Sequence, residues 1–394
     1  MPERLPSLTG MRGVAASVVF LTHVVYFAGQ DDRSGRLSLP VFAVSLGTTA
    51  VSLFFLLSGF VLTCTASPAD TARSFLRKRL FRICPSHLVV WAGFVLLVRC
   101  AGVPRGDGYD ASVPGDLAGA LLVNTLIPVE RIAAGGNPVT WSLTCEVVFY
   151  LLFPFLLARI DAIRPARLPL AAGAAVAAVW AVPLASLALD GPEPAHQFIP
   201  GFDLTLPQVG LAYLFPAGRL PEFVLGMILA RIHLRPGARI ARIARRVGSL
   251  PAALLVLGAL AAGRRLLPSP FALAAVTVLP LALLLLALAA ADVAGRRSLL
   301  RTLVMRRLGE LSYAVYLTHF IVILTVNHYL GSALGITGRT GIALVATLLV
   351  SWLLHTRVER PCMRRFATPS ARRPTVGEPG LAGSGEHAGT RGGN

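Results

Sequence analysis

PFALAAVTVLPLALLLLALAAA, residues 270–291, runs for 22 residues without one charged side chain. About 20 consecutive apolar residues are what a helix needs to cross a hydrocarbon core. Nine further stretches of similar character lie at about 12–29, 41–63, 84–102, 142–159, 168–189, 209–231, 250–267, 311–330 and 339–357. The chain therefore reads as an all-α polytopic membrane protein with about ten transmembrane helices. Composition agrees. Of 394 residues, 55% are hydrophobic and only 14% charged, against roughly 25% charged in soluble domains, and mean hydropathy is +0.68. A soluble surface of this size cannot enclose that excess, and disorder is excluded except at the end. Residues 1–367 are expected to form one transmembrane domain. Residues 368–394, rich in Gly, Arg, Ser and Pro, are expected to be a disordered cytoplasmic tail.

The net charge of +18 raises the question of nucleic acid, and the placement of the charge answers it. With the N-terminus inside, 28 of the 37 basic residues fall on inner segments of the ten-span alternation. This is the bias expected of cytoplasmic loops, so both termini are expected in the cytoplasm and no nucleic-acid partner is needed. Arg4 and Arg12 precede the first apolar run as in a signal peptide. His23 within that run, and the lack of a small-residue cleavage site, favour a retained first span. Leu117–Pro128 is apolar but too short to span, and reads as interfacial or re-entrant. Five cysteines without C-x-x-C spacing indicate neither a disulfide framework nor a zinc site. No repeat of 20 to 50 residues is visible.

Ionisable groups inside spans are costly and are the candidates for function. Arg12 and His23 are eleven residues apart, which places them on one helix face about 16 Å apart along the axis. They are either an anchor with a helix-packing histidine or two groups of one cavity. Arg79 and Arg82 stand one turn apart just before the third span, where guanidinium forks suit phosphate oxygens and where the positive-inside bias alone also puts arginines. Glu146 reads as the one carboxylate well inside an apolar span, on the outer half, and should have a partner such as His23 or an arginine. Ser58 with Gly59 permits close helix packing. Tyr313, Tyr316 and His319 recur at i, i+3 and i+6, either lining a cavity or serving as belt residues with a buried histidine. Glu359 follows His355 at what reads as a helix terminus.

In order along the chain, these residues resemble the acyltransferase family 3 membrane enzymes. The matching motifs are Leu8-Thr9-Gly10-Met11-Arg12 with Arg-x10-His ending at His23, Phe54-Phe55-Leu56-Leu57-Ser58-Gly59-Phe60, Arg79-x-x-Arg82-x-x-Pro85, Trp141-Ser142-Leu143-x-x-Glu146-x-x-Phe149-Tyr150, Ser312-Tyr313-x-x-Tyr316-Leu317-x-His319, and Glu359-x-Pro361. They extend from residue 8 to residue 361. The chain lacks the added extracytoplasmic hydrolase-like domain of some members, and looks like the compact subgroup that includes macrolide and nodulation-factor acylases. One departure is Cys84, where the family often has an aromatic before the proline.

The resemblance implies transfer of an acetyl or other short acyl group from acyl-coenzyme A to a hydroxyl of a sugar or natural product, in the cell membrane and without metal. It implies His23 as catalytic base, a role that suits a neutral imidazole near pH 7. Glu146 would then orient or charge-stabilise that imidazole. Arg79 and Arg82 would hold the coenzyme phosphates, with Arg12 at the channel mouth and Ser58, Tyr313 and His319 as donor-channel or oxyanion-side groups. The acceptor is a glycosylated macrolide or polyketide, or alternatively a cell-surface polysaccharide or glycolipid. A transporter using the same polar residues is the remaining alternative. It would more often show broken helices at paired positions of two halves, and none is visible.

Overall fold

The computed structural model describes residues 5–31, 39–67, 70–105, 112–127, 129–191, 199, 202–235 and 239–367. The tail expected from residue 368 lies outside these. Among the described residues there is no β-strand, and ten helices are long and apolar enough to cross a membrane. In order they are Pro6–Gly29, Phe42–Thr65, Ala72–Arg99, Pro138–Asp161, Pro165–Ser186, Leu206–His233, Ser249–Leu266, Ser269–Val293, Leu303–Leu330 and Ile336–Phe366, called spans 1 to 10 below. Each overlaps one expected from the sequence. Spans 2 and 8 are the most enclosed.

Apolar burial cannot hold helices together in lipid, so close backbone approach matters more. Spans 2 and 6 show it reciprocally. A Cβ at Gly59 would collide with the Phe223 carbonyl, and one at Gly226 with the Leu56 carbonyl. Spans 1 and 9 meet in the same way, Gly13 against the backbone of Gly309 and Gly309 against that of Thr9. At the end where span 1 begins, the Ser7 backbone N–H and hydroxyl donate to Asp292 at the end of span 8 (2.8 and 2.6 Å). This end carries Arg12, Arg79, Arg82 and the basic helix Arg239–Val247, and is called the arginine-rich face.

Between spans 3 and 4 the chain turns back into the layer. A helix, Val113–Ala120, is capped by the Ser112 side chain, which accepts from the Gly115 N–H (3.1 Å). Its backbone oxygens are met by span 3: Trp91 Nε1 donates to Asp116 O (2.8 Å), and His87 Nε2 lies 3.0 Å from Gly119 O. Further on, Asn137 Nδ2 donates to Leu317 O of span 9 (2.8 Å). His87 and Leu317 each stand about 22 Å from the arginine-rich end of their helices at 1.5 Å per residue. The segment is therefore re-entrant to mid-depth, with its freed backbone groups satisfied by protein, as the hydrocarbon requires.

The re-entrant segment is clamped at its outer end by Asp116. Arg99 and Arg105 each approach this carboxylate to 2.7 Å, and the Gly136 N–H donates to it at 3.0 Å. Burial alone would push the carboxyl up, but Arg105, the Gly136 N–H and Arg99 more than offset this and hold it below the ordinary carboxylate range. A carboxyl depressed in the folded state contributes stability above its unfolded pKa of about 3.9, and this is lost as pH falls through the folded value. Relative to intrinsic exchange at each pH, the protection of the amides of residues 112–136 is expected to fall selectively below about pH 4. Protection that stays unchanged down to about pH 2 would show that the clamp does not hold the segment.

Candidate active site

Span 4 starts from the re-entrant segment, already at mid-depth, and runs to the arginine-rich face. Glu146, nine residues past Asn137, is thereby carried to the arginine-rich half of the layer and not to the outer half expected from the sequence. There it lines a cavity with Arg12, Arg79, Arg82, Tyr150 and Ser58. Arg12 is its foremost charged neighbour, followed by Arg82, and the Tyr150 hydroxyl hydrogen-bonds it. Tyr150 also hydrogen-bonds Ser58. At the cavity edge Arg82 Nη2 lies 4.0 Å from Glu359 Oε1, and the other oxygen of Glu359 lies 2.8 Å from His355 Nδ1. His355 and Glu359 do not end the helix as the sequence suggested: span 10 continues through Pro361 to Phe366, and Glu359 faces Arg82 from within it. Arg79 packs its guanidinium over the Phe75 ring (5.6 Å), and its buried Nε–H has no hydrogen-bond partner. Three arginines, one with an unspent buried donor, fit the oxygens of an incoming phosphate.

Tyr313 and Tyr316, from span 9, close the far side of this cavity. The Tyr313 hydroxyl donates to Ile83 O (2.8 Å), tying span 9 to span 3 just before Pro85. Tyr316 donates to Val139 O (2.9 Å) and accepts from the Ser142 hydroxyl (2.7 Å). Beyond Tyr316 a second cavity opens, lined by His23, Thr48, Tyr26, Trp141, Tyr213 and Phe320 among others. Val51 and Tyr316 border both cavities.

His23 is therefore not beside Glu146. Its partner is His319, whose Nε2 lies 3.2 Å from His23 Nδ1. The same Nδ1 is 2.9 Å from Val19 O, and His319 Nδ1 is 3.1 Å from Val315 O. Carbonyls only accept, so both Nδ1 atoms carry the proton. His319 Nε2 is then a lone pair that receives the forked His23 Nδ1–H, and His23 Nε2 is left as the unprotonated nitrogen. The structure thus separates the sequence candidates into two groups. Arg12, Arg79, Arg82, Ser58, Glu146 and Tyr313 share the arginine cavity, while His23 lines the other, with His319 buried behind it.

Sequence reasoning missed Arg219 and Glu222. Both lie in span 6 and are fully buried, 3.0 Å apart, so Glu146 is not the one carboxylate within a span. Arg219 donates to Ser52 Oγ (2.9 Å) and sits 5.3 Å from the ring centres of Phe55 and Tyr213. Phe55 faces the first cavity and Tyr213 the second, so the pair stiffens the wall between them. The signal was available as an Arg at i and a Glu at i+3 within an apolar run.

Fold and site together define a polytopic membrane protein with two cavities meeting end to end in its interior, one lined by three arginines and one by a histidine. The acyltransferase domain family model matches residues 5–356, and the chain belongs to that family. It is 39% identical over 391 residues to Acyltransferase MdmB of Streptomyces mycarofaciens, covering 95% of each chain. It is also 31% identical over 163 residues to Protein 2 in picA locus of Rhizobium radiobacter, covering 39% of this chain and 74% of that one. No solved structure matches it.

Proposed function

We propose that this membrane acyltransferase works in the cytoplasmic membrane and uses acyl-coenzyme A, with an acetyl or other short acyl group, to acylate a hydroxyl of a glycosylated natural product of the macrolide or polyketide kind. The observation that carries the reading is the meeting of the two cavities at Val51 and Tyr316, arginines on one side and His23 on the other. Arg79 and Arg82, with Arg12, hold the coenzyme phosphates at the arginine-rich face, which is the cytoplasmic one by its charge. The pantetheine arm lies along the Ser58 and Tyr313 side of the first cavity. The acceptor occupies the second, where Tyr26, Trp141, Tyr213 and Phe320 suit a largely apolar, sugar-bearing molecule.

Acyl-coenzyme A supplies an activated thioester carbonyl. His23 Nε2 takes the proton of the acceptor hydroxyl as its oxygen bonds to that carbonyl carbon, and returns the proton to the sulfur as the carbon–sulfur bond breaks. Val19 O and His319 Nε2 fix the ring through its Nδ1–H and share the positive charge that forms on it. Glu146 acts at the other end, keeping Arg12 and Arg82 spaced for the phosphates. Direct transfer is preferred to a covalent acyl-enzyme because Cys84, the thiol before Pro85 in the Arg-x-x-Arg motif, lines neither cavity, and nor does Cys145, which is buried against Leu214 O.

Replacing Arg79 and Arg82 together with Ala is expected to raise the apparent donor KM at least about tenfold with little change in kcat, since each charged hydrogen bond is worth about 1.5–3 kcal/mol. An unchanged donor dependence would place the phosphate site elsewhere.

A further inference from the structure

Sharing no residue with the paired cavities, spans 5, 6, 7 and 8 form an outward-facing groove. Every residue lining it is Pro, Ala, Gly, Val, Leu or Ile. It runs from Pro169 and Ile240 at the arginine-rich face to Ala262, about 20 Å into span 7 from Ser249 at 1.5 Å per residue. That depth covers one leaflet's share of a ~30 Å hydrocarbon core.

Two features separate this groove from an ordinary lipid-facing seam. The first is its mouth. Pro169 lies two residues after Arg167, and Ile240 directly follows Arg239, so both walls begin beside an exposed arginine. Ile240 belongs to the helix Arg239–Val247. Ile240, Ala244 and Val247 make its inward stripe, and Arg239, Arg242, Arg245 and Arg246 fan out on the opposite side, exposed. The second feature is its walls. Gly173 and Gly258 line the groove, and a Cβ at either would meet nothing within 4 Å. Glycine weakens a helix interior relative to alanine, and here no close approach requires it, so the consequence of these two glycines is open space.

An apolar slot one leaflet deep, entered between guanidinium groups, matches an amphiphile with an anionic head. We propose that the groove is a binding site for an anionic glycerophospholipid of the bilayer, its acyl chain between spans 5 and 7 and its phosphate held by Arg167 and Arg239.

The test uses the full-length protein in nanodiscs of phosphatidylcholine doped with phosphatidylglycerol, extracted gently into detergent, with co-purifying phospholipid counted by native mass spectrometry. Wild type is expected to retain phosphatidylglycerol about tenfold above its share of the nanodisc lipid. Gly258→Leu, which fills the slot at a position with room for a side chain, and Arg167→Gln with Arg239→Gln are each expected to return that ratio to the bulk value. Gly173→Leu serves as the second filling variant, and monodisperse elution checks that each protein is folded. Retention at the bulk ratio by wild type overturns the proposal. So does a loss seen only in the arginine variant, which would mean surface attraction without a groove site. A dimer mass that disappears in Gly258→Leu would assign the groove to a second copy of the chain and equally overturn it.

Discussion

His23→Ala is expected to lower acyl transfer by about 10²–10⁴-fold, the range that a positioned general base contributes, while leaving membrane insertion, abundance and donor affinity as in wild type. The expectation rests on position. His23 faces the cavity assigned to the acceptor, its Nδ1–H is committed to Val19 O and His319, and its Nε2 is the nitrogen left to take a proton. The arginines proposed to hold the donor lie in the other cavity, so donor binding should be insensitive to the change. His319→Ala should act more weakly, because Val19 O still orients the base, and chiefly on kcat. Transfer by His23→Ala within about threefold of wild type would remove His23 from the reaction.

The second large effect concerns stability. Glu222→Ala is expected to cost about 3–5 kcal/mol, because it leaves the Arg219 guanidinium buried and unpaired. Arg219 and Glu222 are 1% and 0% exposed, which leaves no route for water to replace the lost partner. Removing both charges with Arg219→Met and Glu222→Leu is expected to recover most of the loss, since a buried pair and an apolar replacement are often close in stability. The same double variant should impair catalysis while staying folded, because Arg219 braces Phe55 and Tyr213 on either side of the wall between the cavities. Thermal unfolding in detergent reads the first part and transfer kinetics the second. A Glu222→Ala protein that melts with wild type would mean that the pair contributes nothing measurable.

The ten spans were legible because lipid leaves a helix few options: length and apolarity nearly suffice. The shared face of Arg12 and His23 was also legible, since it follows from eleven residues of one helix. The depth of Glu146 was not, and the reason is the re-entrant segment. Hydropathy marked 117–128 as apolar but could not show that the chain stays at mid-depth until Asn137, and this shifts every residue of span 4 toward the arginine-rich face. The His23–His319 contact joins positions 296 residues apart, and no local pattern encodes it. Arg219 and Glu222 escaped because two opposite charges one helical turn apart barely interrupt an apolar run, although the same spacing is what lets them neutralise each other.

The most direct measurement is acyl transfer by the purified, detergent-solubilised protein supplied with radiolabelled acetyl-coenzyme A and a panel of glycosylated macrolides and bacterial glycans, run beside His23→Ala. The expected result is label moving to a glycosylated macrolide hydroxyl with wild type and not with the variant. Folded wild-type protein that neither binds nor turns over acyl-coenzyme A would contradict the donor assignment, and label moving only to glycans would contradict the acceptor.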